Sequence, residues 1–240
     1  MRLLQGCVMV RGVVNRRGNI MKRKIGCLHA HYSNIEYIQN ALASDELELV
    51  HFVDPGLISR MAADKQFDET KARSKVLEQV EWIAQTNVDA ILITCTSYIA
   101  LLAEDRLPTS IPIIKIDEPF FRLICKMTEP QILLFTNPAT VHGTMRRLNE
   151  YAAAHDQPIG HIEARVIEHT FELIMQGKKE QYHVEVSAYI RNLLAFEKNK
   201  GVSVAQLSMV EAAETVERES NVNIGNPLKP LAAYVERLFA

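Results

Sequence analysis

Cys95 lies in the run Ile91-Leu92-Ile93-Thr94-Cys95-Thr96-Ser97, where an apolar stretch gives way to three hydroxyls and a thiol. A continuous apolar run bounded by polar residues reads as an interior parallel strand. The carboxyl end of such a strand is where open α/β sheets place ligands. The following Tyr98-Ile99-Ala100-Leu101-Leu102-Ala103 reads as a helix, with Thr96 or Ser97 as its N-cap. A thiol at that point feels the positive end of the helix dipole and nearby backbone N–H donors, and both favour thiolate. Cys95 is therefore the leading nucleophile or acid/base candidate. The competing reading is a plain core thiol, since free cysteine is among the most buried residue types.

Other polar loops fall at predicted strand ends: His29-Ala30-His31-Tyr32-Ser33-Asn34, Asp54-Pro55-Gly56, Asp117-Glu118, Thr136 to Thr140, and Gln206-Leu207-Ser208-Met209. Their neutral donors suit a small carboxylate held by hydroxyls and backbone N–H groups. The substrate-contact candidates are His31, Ser33, Asp54, Thr96, Ser97, Thr136, Asn137, Thr140, Gln206 and Ser208. Most of these side chains also have an ordinary role as helix caps or turn residues, and Asp54-Pro55-Gly56 is a common turn sequence. Arg60 and Lys115 are the nearest cations in sequence, at a remove from the loops.

His29-x-His31 would place two imidazoles on one strand face, with Asp54 or Glu118 as a third ligand. Spacing alone fixes no coordination geometry, so no metal is assigned. Dinucleotide, P-loop, nucleophile-elbow and zincin motifs are all missing from the chain. Cys27 falls inside the first strand and Cys125 in a packing helix, so both read as structural.

Elements positioning these loops alternate strand and helix from Lys24 onward, which argues for parallel sheets covered by helices. Strands are expected at Ile25 to Ala30, Leu47 to Val53, Ala90 to Thr94 and Ile111 to Ile116, with helices at Ile35 to Ala43 and Phe67 to Gln85. The pattern restarts with a strand at Gln131 to Phe135, a helix at Val141 to Ala154 and a weak strand at Arg165 to Ile167. An amphipathic helix at Tyr182 to Phe196, strands at Gly201 to Gln206 and Asn221 to Asn226, and a final helix from Pro227 follow. Ile25 and Ile132 lie 107 positions apart, and Cys95 and Gln206 lie 111 apart. Two similar α/β halves, each with a polar strand end, account for that agreement.

The 240 residues are 48% hydrophobic and 23% charged with a net charge of -2, the balance of a soluble globular chain. That charge points to neither nucleic acid nor an anionic membrane surface as a partner, and no stretch approaches the ~20 apolar residues of a membrane span. Four scattered cysteines without a disulfide framework make a reducing cytoplasm the expected location. The first twenty residues carry Arg2, Arg11, Arg16 and Arg17, no acidic residue and no clear period. Residues 1–21 are read as a disordered or mis-assigned extension, with Met21 the natural start and a basic targeting segment the alternative.

The order of these features resembles the cofactor-independent aspartate/glutamate racemase superfamily. The match runs from Lys24 to Leu238 and rests on the Cys95-Thr96-Ser97 strand end, Val53-Asp54-Pro55-Gly56-Leu57, Thr136 to Val141 and Phe171 to Lys178. It implies an α/β fold of two Rossmann-like parallel-sheet domains with the active site in the cleft between them. Domain one would span 22–119 plus 221–240, and domain two 120–220. It also implies PLP-independent chemistry without a cofactor, a small carboxylate or amino-acid substrate, and a homodimer. In the family, one cysteine from each half faces the α-carbon. Cys95 matches the first, whereas the second falls on Gln206, which has no titratable proton. Three readings follow: a racemase-like isomerase with a different second acid such as His29 or His31, a single-thiol decarboxylase or lyase acting on a substituted dicarboxylate, and a non-catalytic ligand-binding relative.

Overall fold

The computed structural model describes residues 22–102 and 107–240. The reading of residues 1–21, Cys7 included, lies outside them.

Strand β1 (Arg23–His29) is flanked by β2 (Leu47–Val53) and β3 (Ala90–Ile93), and β4 (Ile113–Lys115) extends the sheet beyond β3. All pairings are parallel. The order β2-β1-β3-β4 recurs in the second half as β6-β5-β7-β8, from β5 (Gln131–Phe135), β6 (Ile162–Val166), β7 (Gly201–Val204) and β8 (Ile224–Gly225). The unbroken apolar runs at β3 and β5 are explained by their burial at every position, because helices cover both sheet faces. The α/β class and the two halves expected from the sequence are thus observed.

Helices α1 (Asn34–Leu42), α2 (Pro55–Ala63), α3 (Glu69–Ala84), α4 (Thr96–Leu101) and α5 (Asp117–Cys125) belong to the first repeat and its exit. Helices α6 (Val141–Ala154), α7 (Thr170–Met175), α8 (Lys179–Phe196), α9 (Val210–Ser220) and α10 (Leu228–Phe239) follow. Local chemistry sets several starts. Asp54 caps α2 ahead of Pro55, and Asp68 caps α3 by accepting the Lys71 N–H at 2.9 Å. Helix α9 escapes a periodicity reading because its buried face is built on Val210, Ala212, Ala213 and Val216, two of them too small to stand out. Strand β6 reads weakly because it is an edge strand with no fully buried position.

One boundary differs from expectation. Residues 224–225 pair with β7 and complete the second sheet rather than the first, so the chain returns to the first half only with α10. There Leu228, Leu231 and Val235 join the core of the first sheet, as do Leu207 and Val210 from the second half. The halves therefore share apolar contacts. Segments leaving the carboxyl ends of β1 and β3 pack on those leaving β5 and β7: α1 lies on the 3-10 turn 207–209, and α4 lies on α6. The carboxyl ends of the two sheets face one another.

Close packing is tightest at Gly26, where an added Cβ would stand 2.4 Å from Ile83 Cγ2 of α3. The Gly26→Ala substitution is expected to force α3 off the sheet and cost about 1–3 kcal/mol, read by urea unfolding. A variant as stable as wild type would mean that Ile83 rotates away freely.

Candidate active site at the facing strand ends

Cys95 follows β3 after Thr94 and is itself the N-cap of α4, with extended backbone angles (φ -101°, ψ 116°). The helix therefore begins at Thr96, and neither Thr96 nor Ser97 caps it. The thiol is half-buried at the rim of the first core. Burial pushes its pKa above the ordinary thiol value. The N–H groups of Ser97 and Tyr98 and the Ser97 hydroxyl pull the other way and are outweighed. The sequence suggested thiolate because it shows the helix start but not the desolvation around it. A six-residue helix also offers little dipole to compensate. Cys95 is thus a protonated thiol at neutral pH, suited to giving a proton.

That state has a measurable consequence. The folded pKa lies above 9, so Cys95 alkylation by iodoacetamide should keep accelerating with pH past that point. A rate that levels off near neutrality, followed by peptide mapping of Cys95, would contradict this.

Strand registers decide which residue of the second half corresponds to Cys95. Ile25 pairs with Ala90 and Ile91 with Ile113 in the first sheet, while Gln131 pairs with Gly201 and Val202 with Ile224 in the second. The Thr94 N–H bonds the Leu28 carbonyl and the Ala205 N–H the Leu134 carbonyl, so Leu28 matches Leu134, one place from the Ile25–Ile132 match read in the sequence, and Cys95 matches Gln206. Gln206 is likewise an extended N-cap, at φ -120° and ψ 144°. Its amide oxygen accepts three hydrogen bonds: from the Thr136 N–H at 2.7 Å, the Thr136 hydroxyl at 2.9 Å and the Asn137 N–H at 3.0 Å. Such a cluster of donors is a natural seat for a carboxylate oxygen. Here the protein's own side chain occupies it.

A hydroxyl chain runs behind Gln206. Tyr182 on α8 joins Thr136 Oγ1 at 3.1 Å and Ser208 Oγ at 2.8 Å. Thr136 spends its proton on Gln206, so Tyr182 donates to Thr136 and accepts from Ser208. Burial raises the Tyr182 pKa, which keeps it protonated. Nothing in the sequence singled out Tyr182, because it reads as one more residue of the apolar face of a long helix, near its start. A cleft of about 820 Å³ between the halves reaches Tyr182 and Ser208, with Tyr37 and Glu211 also on its wall, and Cys95 does not line it.

The remaining candidates separate into cap, pair and mouth residues. Asp54 Oδ1 accepts the Gly56 and Leu57 N–H groups, and its other oxygen accepts from Gln79. Its carbonyl accepts the Tyr98 hydroxyl, which ties α4 to the end of β2. Both carboxylate oxygens are thus engaged within the fold. Asn137 Oδ1 takes the Ala139 N–H at 3.0 Å, and the Thr140 hydroxyl donates to the Asn137 carbonyl at 2.9 Å. His31 is exposed and pairs with Ser33 at 2.8 Å. Thr96 and Ser97 stand half-buried and exposed beside Cys95. Arg60 is engaged with Asp64, and Lys115 with Glu118.

His29 does not join His31, which lies beyond the end of β1. It is fully buried and bonded to Thr94 and His51. Burial, reinforced by His51, lowers its pKa to about 4, so it holds no exchangeable charge at neutral pH. Fully buried and neutral, His29 is not placed to act as a second acid.

Against solved structures the chain is similar to the Picrophilus torridus aspartate racemase, at 12% identity and TM-score 0.62, covering 90% of this chain and 94% of that one. It is also similar to the allantoin racemase of Klebsiella pneumoniae, at 18% identity and TM-score 0.61, covering 90% and 87%. A cysteine-substituted arylmalonate decarboxylase in a sulfate-associated form matches at 13% identity and TM-score 0.56, covering 90% and 92%. No protein-family profile and no curated protein sequence matches. The chain shares its fold with these racemases and with the decarboxylase. Within the racemase fold, this chain carries one thiol and one amide at the two matched strand ends. Among the described residues no helix is long and apolar enough to cross a membrane.

Proposed function

We propose that this chain is a racemase-superfamily enzyme that transfers a proton at the α-carbon of a small carboxylic acid through one thiol, Cys95, and from one face only. The observation that carries the reading is the register match between Cys95 and Gln206. An amide carries no titratable proton, so a two-thiol relay has no second partner there. Cys95 being held as a thiol favours delivery of a proton to a carbanion over its removal from carbon. Loss of CO2 from a substituted malonate supplies such a carbanion. The C–C bond breaks, its electron pair stays as a carboxylate-stabilised enediolate, and the Cys95 S–H proton passes to carbon. The thiolate left behind is reprotonated from solvent. Backbone and hydroxyl donors around Thr96 and Ser97 are the groups available to hold the developing charge. No cofactor takes part in this scheme.

The test is incubation in D2O with substituted malonates and with D- and L-amino acids, for wild type and Cys95→Ser. The expected result is CO2 release with a single deuterium entering on one face, lost in Cys95→Ser. Exchange with inversion would replace this reading by two-sided racemisation. No turnover on any substrate, together with a ligand-induced rise in melting temperature in both proteins, would replace it by a binding role.

A further inference from the structure

Cys27 and His29, two residues apart on β1, share one sheet face, and the parallel register sets His51 of β2 beside Cys27. One potential ligand atom from each lies within 4.8 Å of the others. Cys27 and His29 are fully buried and His51 is half-buried, giving the group one approach from solvent.

The outer nitrogen of each imidazole is already held. His29 Nδ1 lies 2.9 Å from Thr94 Oγ1, and His51 Nε2 lies 3.1 Å from Gln39 Oε1 on α1. The Gln39 oxygen can only accept, so His51 carries its proton on Nε2 and presents a bare lone pair at Nδ1. The Thr94 hydroxyl is within 3.2 Å of the Leu28 carbonyl. When it donates there, His29 carries its proton on Nδ1 and turns the Nε2 lone pair toward His51 Nδ1, 2.9 Å away. Two facing lone pairs repel unless a cation lies between them. When the Thr94 hydroxyl instead donates to His29 Nδ1, His29 Nε2–H reaches His51 and the metal-free pair is satisfied. Rotation of one hydroxyl therefore switches the pair between a closed hydrogen bond and two converging ligands.

We propose that Cys27, His29 and His51 form a zinc site with two nitrogens and one sulfur as ligands. Zinc takes imidazole nitrogen at about 2.0–2.1 Å and thiolate at about 2.3 Å. Two such nitrogens on a tetrahedral ion stand roughly 3.3 Å apart, so the rings need part by only a few tenths of an ångström. Thr94 and Gln39 then serve as the outer hydrogen-bond partners that orient metal-bound histidines. Binding releases one proton, from the Cys27 thiol, because both imidazoles enter neutral. A water on the His51 side completes four ligands. The site is separate from Cys95 and does not depend on the reaction proposed for it.

The experiment adds Co2+ and then Zn2+ to the purified full-length chain. The expected result is one Co2+ bound per chain, with a thiolate-to-cobalt charge-transfer band that Zn2+ bleaches. The band disappears in Cys27→Ser and in His51→Gln and persists in Cys95→Ser and Cys125→Ser. His51→Gln keeps the test intact if Cys27→Ser fails to fold, since His51 is half-buried. Excess Zn2+ is expected to raise the melting temperature of wild type by roughly 5 °C or more and to leave His51→Gln unmoved. Absence of the band, a band that follows Cys95 or Cys125, or equal thermal shifts in wild type and His51→Gln would overturn the proposal.

Discussion

Replacing Gln206 with cysteine is expected to turn the one-sided proton transfer proposed for Cys95 into racemisation. The substitution places a second thiol at the position that the strand registers match to Cys95, on a strand end of the opposite half. General acid–base groups contribute about 10²–10⁴-fold to proton transfer, so inversion should rise by at least that lower bound over the Gln206 protein. The change also empties the donor cluster of Thr136 N–H, Thr136 O–H and Asn137 N–H. Water or a substrate carboxylate can take the place of the amide oxygen, so the stability cost should stay near 1–2 kcal/mol. Chiral separation of products formed in D2O reads the outcome, with Gln206→Ser as the control that opens the cluster without supplying a thiol. Strictly one-faced deuteration by folded Gln206→Cys would sink the idea that the two strand ends address one carbon.

The second large effect concerns Asp117 and Arg147. Arg147 grips the carboxylate with two parallel bonds, Nε to Oδ2 at 2.6 Å and Nη2 to Oδ1 at 3.0 Å. The side chains are only 13% and 5% exposed, so neither charge has much water to fall back on. Arg147→Met would strand a buried carboxylate, and about 3–5 kcal/mol of stability should be lost. Asp117→Asn combined with Arg147→Met removes both charges and should cost clearly less than the two single changes together. Urea unfolding of the four proteins measures the coupling. Additive losses would mean that the pair contributes nothing beyond packing. The pair joins the start of α5 to the middle of α6, and Thr140 at the head of α6 accepts from Gln206 Nε2 at 3.4 Å, so loss of the pair should also loosen the seat of Gln206.

Much of this was readable along the chain. The buried strands β3 and β5 stood out as apolar runs, and the long α8 by its stripe of Tyr182, Val186, Ile190 and Leu193. Helix α9 is masked by small alanines, β6 shows only in part because of its exposed edge, and β8, expected with the first half, pairs in the second sheet. A two-residue strand carries no local sign of which sheet it will join. The matched positions of Cys95 and Gln206 were visible as a 111-residue offset, and the registers reproduce it.

What the sequence determined by itself is the alternating α/β build, the doubled half and the placing of a thiol, Cys95, at one matched strand end and an amide, Gln206, at the other. These follow from burial periodicity and residue identity, which are local properties. The protonation state of Cys95, the occupation of the Thr136–Asn137 donors by Gln206, and the pairing of His29 with His51 rather than His31 were decided by the tertiary structure. Each depends on atoms that meet across 20 or more positions of chain or on the desolvation that their packing imposes, and residue order records neither.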